Sequence, residues 1–282
     1  SPYLVLTGSH KVANFYTATE HNYNLGNIVV SARSWAKLSD KEQAALQAAA
    51  DATDFPEQVD QIAAFEKAKV VVTRGTEKEA KHRAVKAFAS AHDPSGNLIE
   101  IFYGRERAEP FKPGHGIKSF KTGQMGLGHM VLPAPENQKT IDFYRKVMGF
   151  GVSDDLTLPA FAPGLPDQRV YFMHADNPRH HTLGLYNFPN PTGVIHLMAE
   201  MNNMDEVGHC MDRVKKAGLH IFASLGRHAN DEMVSFYFFA PGGIGFEVGY
   251  DGKTVKDWSK FKPTKSTIGD IWGHEYDFPV VE

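Results

Sequence analysis

The sequence predicts an α+β chain of paired strand–helix–strands (βαβββ) modules, with an incomplete N-terminal domain. Three observations predict it: an internal repeat, helix patterns that stop at glycines, and short alternating strands between them. DPSGNLIEIFYG at 93–104 and APGGIGFEVGYDG at 240–252 share Pro-x-Gly-x-x-x-Glu, with Pro94, Gly96 and Glu100 matched by Pro241, Gly243 and Glu247. Each copy reads as a tight turn running into a strand. The two glutamates stand 147 residues apart, about the length of a domain. FEKAKVVVTRG at 65–75 and VKKAGLHIFASLG at 214–226 repeat a second pattern, helix then β-rich run.

Residues 1–50 do not fit the repeat. SDKE at 39–42 has capping-box spacing ahead of the helix-forming KEQAALQAAADA. Residues 51–104 are expected to form a single βαβββ-like module. By the repeat offset its companion falls before residue 1, which makes this domain degenerate. Residues 105–124, with Pro110, Pro113, Gly114 and Gly116, read as a linker. The catalytic candidate is 125–252, two modules long. A strand over 126–132 leads to a helix over 135–148 stopped by Gly149, then strands at 168–174 and 181–187. A strand over 194–199 leads to a helix over 204–217 stopped by Gly218. Strands at 219–224, 233–239 and 244–250 complete the second module. Residues 253–282 read as an irregular tail carrying Trp258 and Trp272.

Composition narrows the function classes. Of 282 residues, 42% are apolar and 22% charged, enough for a full core. Thirty basic against 33 acidic residues leave a net charge of −3, which argues against a nucleic-acid surface. No apolar stretch reaches a membrane span's length, and no signal peptide pattern opens the chain. Cys210 is the only cysteine, so an intramolecular disulfide is impossible and a cytoplasmic setting is expected.

His129 in GLGHMVL, His196 in GVIHLMAEM and Glu247 in GFEVGY interrupt apolar strands. Alternation groups His129 with Leu127 and Val131, His196 with Val194 and Met198, and Glu247 with Gly245 and Gly249. A carboxylate in a core strand is expensive unless it is paired or bound to a cation. Two imidazoles and a carboxylate form the facial triad of non-haem Fe(II) sites, which leaves positions open for substrate and O2. Taken singly, either histidine reads more readily as an ordinary core or surface residue than as a ligand in a chain of 14 histidines. PRHHT at 178–182 and GRHANDEMVSFY at 226–237 bring further polar groups, His181, His228 and Tyr237. A histidine titrating near neutrality suits proton transfer. Tyr237 reads either as a substrate hydrogen-bond partner or as a buried strand aromatic. Phe172, Phe188, Phe236 and Phe239 read either as pocket lining or as core.

The run from Gly226-x-His228 through Phe236-Tyr237 and Ala240-Pro241-x-Gly243 to Glu247, with GLGHMVL and the closing IWGHE at 271–275, resembles a known family. It is similar to the type I extradiol ring-cleavage dioxygenases of the vicinal oxygen chelate (glyoxalase-like) superfamily, the dihydroxybiphenyl dioxygenase group. The resemblance spans roughly residues 51–276 and is densest from 125 onward. It implies that His129, His196 and Glu247 bind Fe(II), with Mn(II) as the smaller alternative, and that O2 is co-substrate. It implies that His181 is the acid–base residue, that His228 and Tyr237 contact the catecholic oxygens, and that Asn230 and Asp231 support substrate binding. The expected reaction is meta cleavage of a catechol to a 2-hydroxymuconic semialdehyde type product. Other readings are a glyoxalase-like lyase or isomerase, or a metal- or ligand-binding protein without turnover. The N-terminal copy keeps Glu100 but has Ala49 where His196 repeats, so it lacks this site. Residues 1–50 instead resemble a fragment of a TRAP-transporter solute-binding protein, as a fusion would. Because a lone module exposes a sheet edge, these residues are expected to cap it or to join subunits of a homo-oligomer.

Overall fold

The computed structural model describes residues 38–106 and 111–278. They fall into two compact units, the first holding the described residues up to His92 with Leu98 onward to residue 106 and Val147–Gly149, the second holding Asp93–Asn97, residues 111–146 and residues 150–278. The expectation for residues 1–50 lies, up to residue 37, outside the described residues.

In the first unit, helix α1 (Asp40–Lys67) opens on the expected capping box. The Glu42 backbone donates to Ser39 Oγ, and the Ser39 backbone donates to Glu42 at 2.8 Å. Phe65 to Lys67 close this helix. The valines behind them do not form the expected strand, and only Thr73–Arg74 (β1) pairs. Helix α2 (Glu77–His82) follows, capped by Thr76, then β2 (Ala87–His92) and β3 (Leu98–Tyr103) complete an antiparallel sheet β1-β2-β3. Glu100, the repeat mate of Glu247, sits exposed on β3 and is held by the Arg83 guanidinium at 2.6–3.0 Å.

The second unit is a single ten-stranded sheet, and its order reveals the duplication. Module one comprises β4 (His129–Pro133), α3 (Asn137–Lys146), β5 (Gly151–Leu158), β6 (Gln168–His174) and β7 (Leu183–Tyr186). Module two comprises β8 (His196–Glu200), α4 (Met204–Lys216), β9 (Ile221–His228), β10 (Val234–Phe239) and β11 (Gly245–Tyr250). The order is β12-β5-β6-β7-β4-β8-β11-β10-β9-β13, so each module's first strand lies beside its last, in parallel. The first strands of the modules, β4 and β8, meet antiparallel at the centre. β12 (Thr264–Ser266) and β13 (Asp270–Trp272) come from the supposedly irregular tail and extend opposite ends of the sheet.

Helix α4 shows why one sheet face is core. Val207, Cys210, Met211 and Val214 recur at helical spacing and pack on Phe236, Phe246 and Val248. Asn203 caps its start, and Gly218 at φ 67 ends it as the sequence implies. Alternation then turns Tyr237 and Glu247 to the opposite face, where the site lies. The strand expected at 126–132 starts only at His129, and Leu127 is 86% exposed rather than sharing that face. β5 was not expected at all. Its two acidic residues mask it: buried Asp154 accepts from Thr264 and Ser266 of β12, and Asp155 pairs with Arg169 of β6.

Candidate metal centre

Register brings the three expected ligands together. His129 on β4 lies opposite Met198 on β8, and Met198 lies beside Glu247 on β11. His196 lies one step along, opposite Val131 and beside Gly245. Three neighbouring strands therefore present three polar side chains to one face, and the sheet must curl for them to converge. Converge they do. His129 Nε2 is 3.1 Å from His196 Nε2 and 3.0 Å from Glu247 Oε2, and His196 Nε2 is 3.4 Å from the same oxygen.

These distances fit a bound cation. Ligand atoms about 2.1 Å from one ion lie ~3.0 Å apart when adjacent and ~4.2 Å apart when opposite. All three separations are of the adjacent kind, which is the facial arrangement. Glu247 is fully buried, and neither carboxylate oxygen meets hydrogen-bond geometry with any described donor. Such a carboxylate is costly to bury without a cation. Burial opposes its charge, yet His129, His196 and His228 hold its pKa well below the usual carboxylate range. Burial pushes the His129 pKa down to about 4, so the imidazole is neutral and free to ligate.

The second cluster surrounds this centre. His181 is buried, with its ring 4.3 Å from that of His129 and 4.6 Å from that of Phe172. Its Nδ1 faces His180 Nδ1 at 3.1 Å and Asp231 at 3.7 Å. Burial, then His129 and His180, hold its pKa well below that of a free histidine. His228 Nε2 lies 2.6 Å from the Tyr237 hydroxyl and 3.4 Å from Glu247 Oε1. Burial works against charge on His228, but Asp270, Glu247 and Asp231 together lift its pKa to about 10. A cation on Glu247 would draw that value down.

Residues 126–248 match the Glyoxalase/Bleomycin resistance protein/Dioxygenase superfamily. Over 235 residues the chain is 38% identical to an iron-dependent extradiol dioxygenase of Rhodococcus jostii, covering 80% of this chain and 75% of the relative. The chain belongs to the extradiol dioxygenases. A biphenyl-2,3-diol 1,2-dioxygenase of Paraburkholderia xenovorans is 37% identical, with 80% and 74% covered. Among solved structures, a halotolerant catechol dioxygenase aligns with a TM-score of 0.69 at 34% identity, covering 78% of this chain and 72% of that one. A catechol 2,3-dioxygenase aligns with a TM-score of 0.71 at 28% identity, covering 79% and 73%. Residues 1–93 are similar to the bacterial extracellular solute-binding proteins of family 7, so that likeness runs past the expected boundary at residue 50.

Other expected residues of this extradiol dioxygenase sort unevenly. Asp231 is buried below His181, its pKa raised to about 6 by burial, and it accepts from the Met233 backbone. Asn230 accepts from its neighbour's backbone, with Oδ1 2.8 Å from the Asp231 nitrogen. Phe236 packs on α4 and is core, whereas Phe172 lies against His181. Phe188 packs at a tilt against Phe161 and Tyr186, and Phe239 against Phe222. Sequence reasoning missed Asp270 and His274, which flank His228 although IWGHE contains one of them. Asp270 is 2.8 Å from His228 Nδ1 and 2.7 Å from His274 Nδ1.

Proposed function

We propose that this extradiol dioxygenase binds Fe(II) through His129, His196 and Glu247, and that His181, His228 and Tyr237 handle the protons and oxygens of a catechol. The protein is an enzyme of aromatic catabolism that cleaves catecholic substrates with O2. The single observation that carries the metal assignment is the set of three mutual separations of 3.0–3.4 Å around an otherwise unpartnered carboxylate. The two-nitrogen, one-carboxylate donor set favours iron, and Mn(II) shares the same preferences. A homo-oligomer is supported by Leu98 and Phe102, both at least half exposed on β3. A cytoplasmic setting is supported by the lone Cys210. No helix among the described residues is long and apolar enough to cross a membrane.

The ion, when bound, supplies a centre at which a catechol's two oxygens and O2 are held together and electrons pass between them. Everything else falls to the chain. The hydrogen-bonded pair of Tyr237 and His228, at 2.6 Å, supports their taking a catechol hydroxyl proton and holding it at His228 Nε2. His181 is kept neutral by its burial, so it binds a substrate without repelling a nearby cation and can later give or take a proton. Its Nδ1 is engaged by His180, which leaves Nε2 for that exchange. Phe172 covers the His181 ring and excludes water from it. Loading the protein anaerobically with ferrous iron, adding a catechol and then admitting air tests this reading. A yellow ring-opened product with O2 uptake supports it, and bound catechol without product contradicts it.

A further inference from the structure

The edge strand β13 carries a carboxylate that the reaction described above does not use. We propose that Asp270 is a positioning residue: it fixes the His228 ring with Nδ1 protonated, so that only Nε2 exchanges protons with substrate, and thereby makes the C-terminal segment part of the active site. This inference rests on His228 acting at the substrate, as proposed above.

The pairing of β13 with β9 puts Asp270 directly opposite His228. One carboxylate oxygen, Oδ1, lies 2.8 Å from His228 Nδ1 and 2.7 Å from His274 Nδ1, while the Tyr276 hydroxyl donates to Oδ2 at 3.3 Å. A carboxylate oxygen only accepts, so both imidazoles donate to it through Nδ1. Turning the His228 ring over would set carbon atoms against both Asp270 and Tyr237, losing the 2.8 Å and 2.6 Å hydrogen bonds together. The orientation is therefore fixed from both ends. An outer partner that sets a histidine's tautomer is a recurring device in metal and proton-transfer sites.

The surroundings are built to hold that carboxylate. His274 is itself pinned, with Nε2 3.0 Å from the Ser235 carbonyl oxygen and its side chain wholly buried. Its backbone adopts φ 51, directly after Gly273 at φ 72, a conformation that disfavours a side chain bearing Cβ. A Cβ on Gly226 would lie 2.4 Å from the His274 nitrogen, and one on Gly273 would lie 2.2 Å from the Leu225 carbonyl oxygen. Both glycines thus permit the tail to lie flat against β9, two residues from His228. The same contact explains why the Gly-x-His run on β9 begins with glycine.

The test has two arms. In the full chain with ¹⁵N-labelled histidine, at mildly alkaline pH, His228 is expected to carry a slowly exchanging proton on Nδ1. Asp270→Asn should lose that signal. In the ferrous enzyme, Asp270→Asn should lower kcat/KM for a catechol about 10- to 100-fold with unchanged iron content, and Asp270→Glu should restore part of both readouts. Wild-type His228 bearing no proton on Nδ1 overturns the inference without recourse to a variant. So does Asp270→Asn with full iron, the Nδ1 proton retained and wild-type kcat/KM. If wild-type ferrous enzyme cleaves no catechol while the Nδ1 proton still depends on Asp270, the proposed function falls and the positioning role stands.

Discussion

Gly245 stands beside His196 in the parallel pairing of β11 with β8, and a Cβ added to it would lie 2.5 Å from the Ile195 carbonyl oxygen. The strand bearing Glu247 can approach the strand bearing His196 closely only because this position has no side chain. Gly245 therefore sets how closely the strands bearing His196 and Glu247 approach. At Gly249 the neighbour is the Met233 side chain, whose sulfur lies 2.4 Å from a would-be Cβ and which, unlike a backbone carbonyl, can swing aside.

Gly245→Ala should loosen the metal site without removing a ligand. Pushing β8 from β11 costs roughly 1–3 kcal/mol of stability. Metal retention should weaken by about tenfold or more, because a facial site tolerates little displacement. Competition against a chelator measures the second effect, and thermal unfolding the first. Retention equal to wild type would show that the strands have slack.

Replacing any one ligand should abolish metal retention. His129→Ala, His196→Ala and Glu247→Ala each leave two donor groups where three converge within 3.4 Å. Elemental analysis after dialysis reads this directly. Near-stoichiometric metal in any of the three would remove that residue from the set.

His181→Ala should separate binding from chemistry. Iron and catechol should still bind, while turnover falls by about 10²- to 10⁴-fold, the range for a general acid–base group. Anaerobic catechol titration against steady-state rates makes the comparison. Wild-type turnover would return His181 to an ordinary buried histidine.

The buried His180 should make the metal-free protein acid-sensitive. Its pKa is pushed down to about 4, first by burial and then by Lys253 and His129. The unfolded chain, with an ordinary histidine pKa near ~6.5, then binds more protons than the folded one between those two values. This contribution is present in full above the unfolded value and is lost as pH falls toward the folded value, up to about 3 kcal/mol in all. Denaturant unfolding at stepped pH should show a shallower slope in His180→Asn. An identical slope would mean that His180 does not drive the loss.

The second unit was legible because its residues break patterns that physics enforces. Glu247 sits where a strand should be apolar, and its turn repeats an earlier one, so both a cation site and a duplication could be read. His129 and His196 needed the family likeness as well, because a histidine in a strand is ambiguous by itself. β5 was illegible because Asp154 and Asp155 look like loop residues until Thr264, Ser266 and Arg169 satisfy them. Asp270 was hidden for a related reason: its partner His228 lies 42 residues away, and its strand has only three residues. Of the β-rich run expected behind the helix in FEKAKVVVTRG, only Thr73–Arg74 pairs, and Val71 ahead of it is 82% exposed.

The central claim is that both atoms of O2 enter a catechol beside its diol at this site. Single-turnover reaction of the ferrous protein with a catechol under isotopically labelled O2, followed by mass spectrometry of the product, tests it most directly. The account predicts a ring-opened semialdehyde acid carrying label from both oxygen atoms, after correction for exchange of the aldehyde oxygen with water. An intact ring, or a ring-opened product with no label, from protein holding stoichiometric iron and catechol would contradict it.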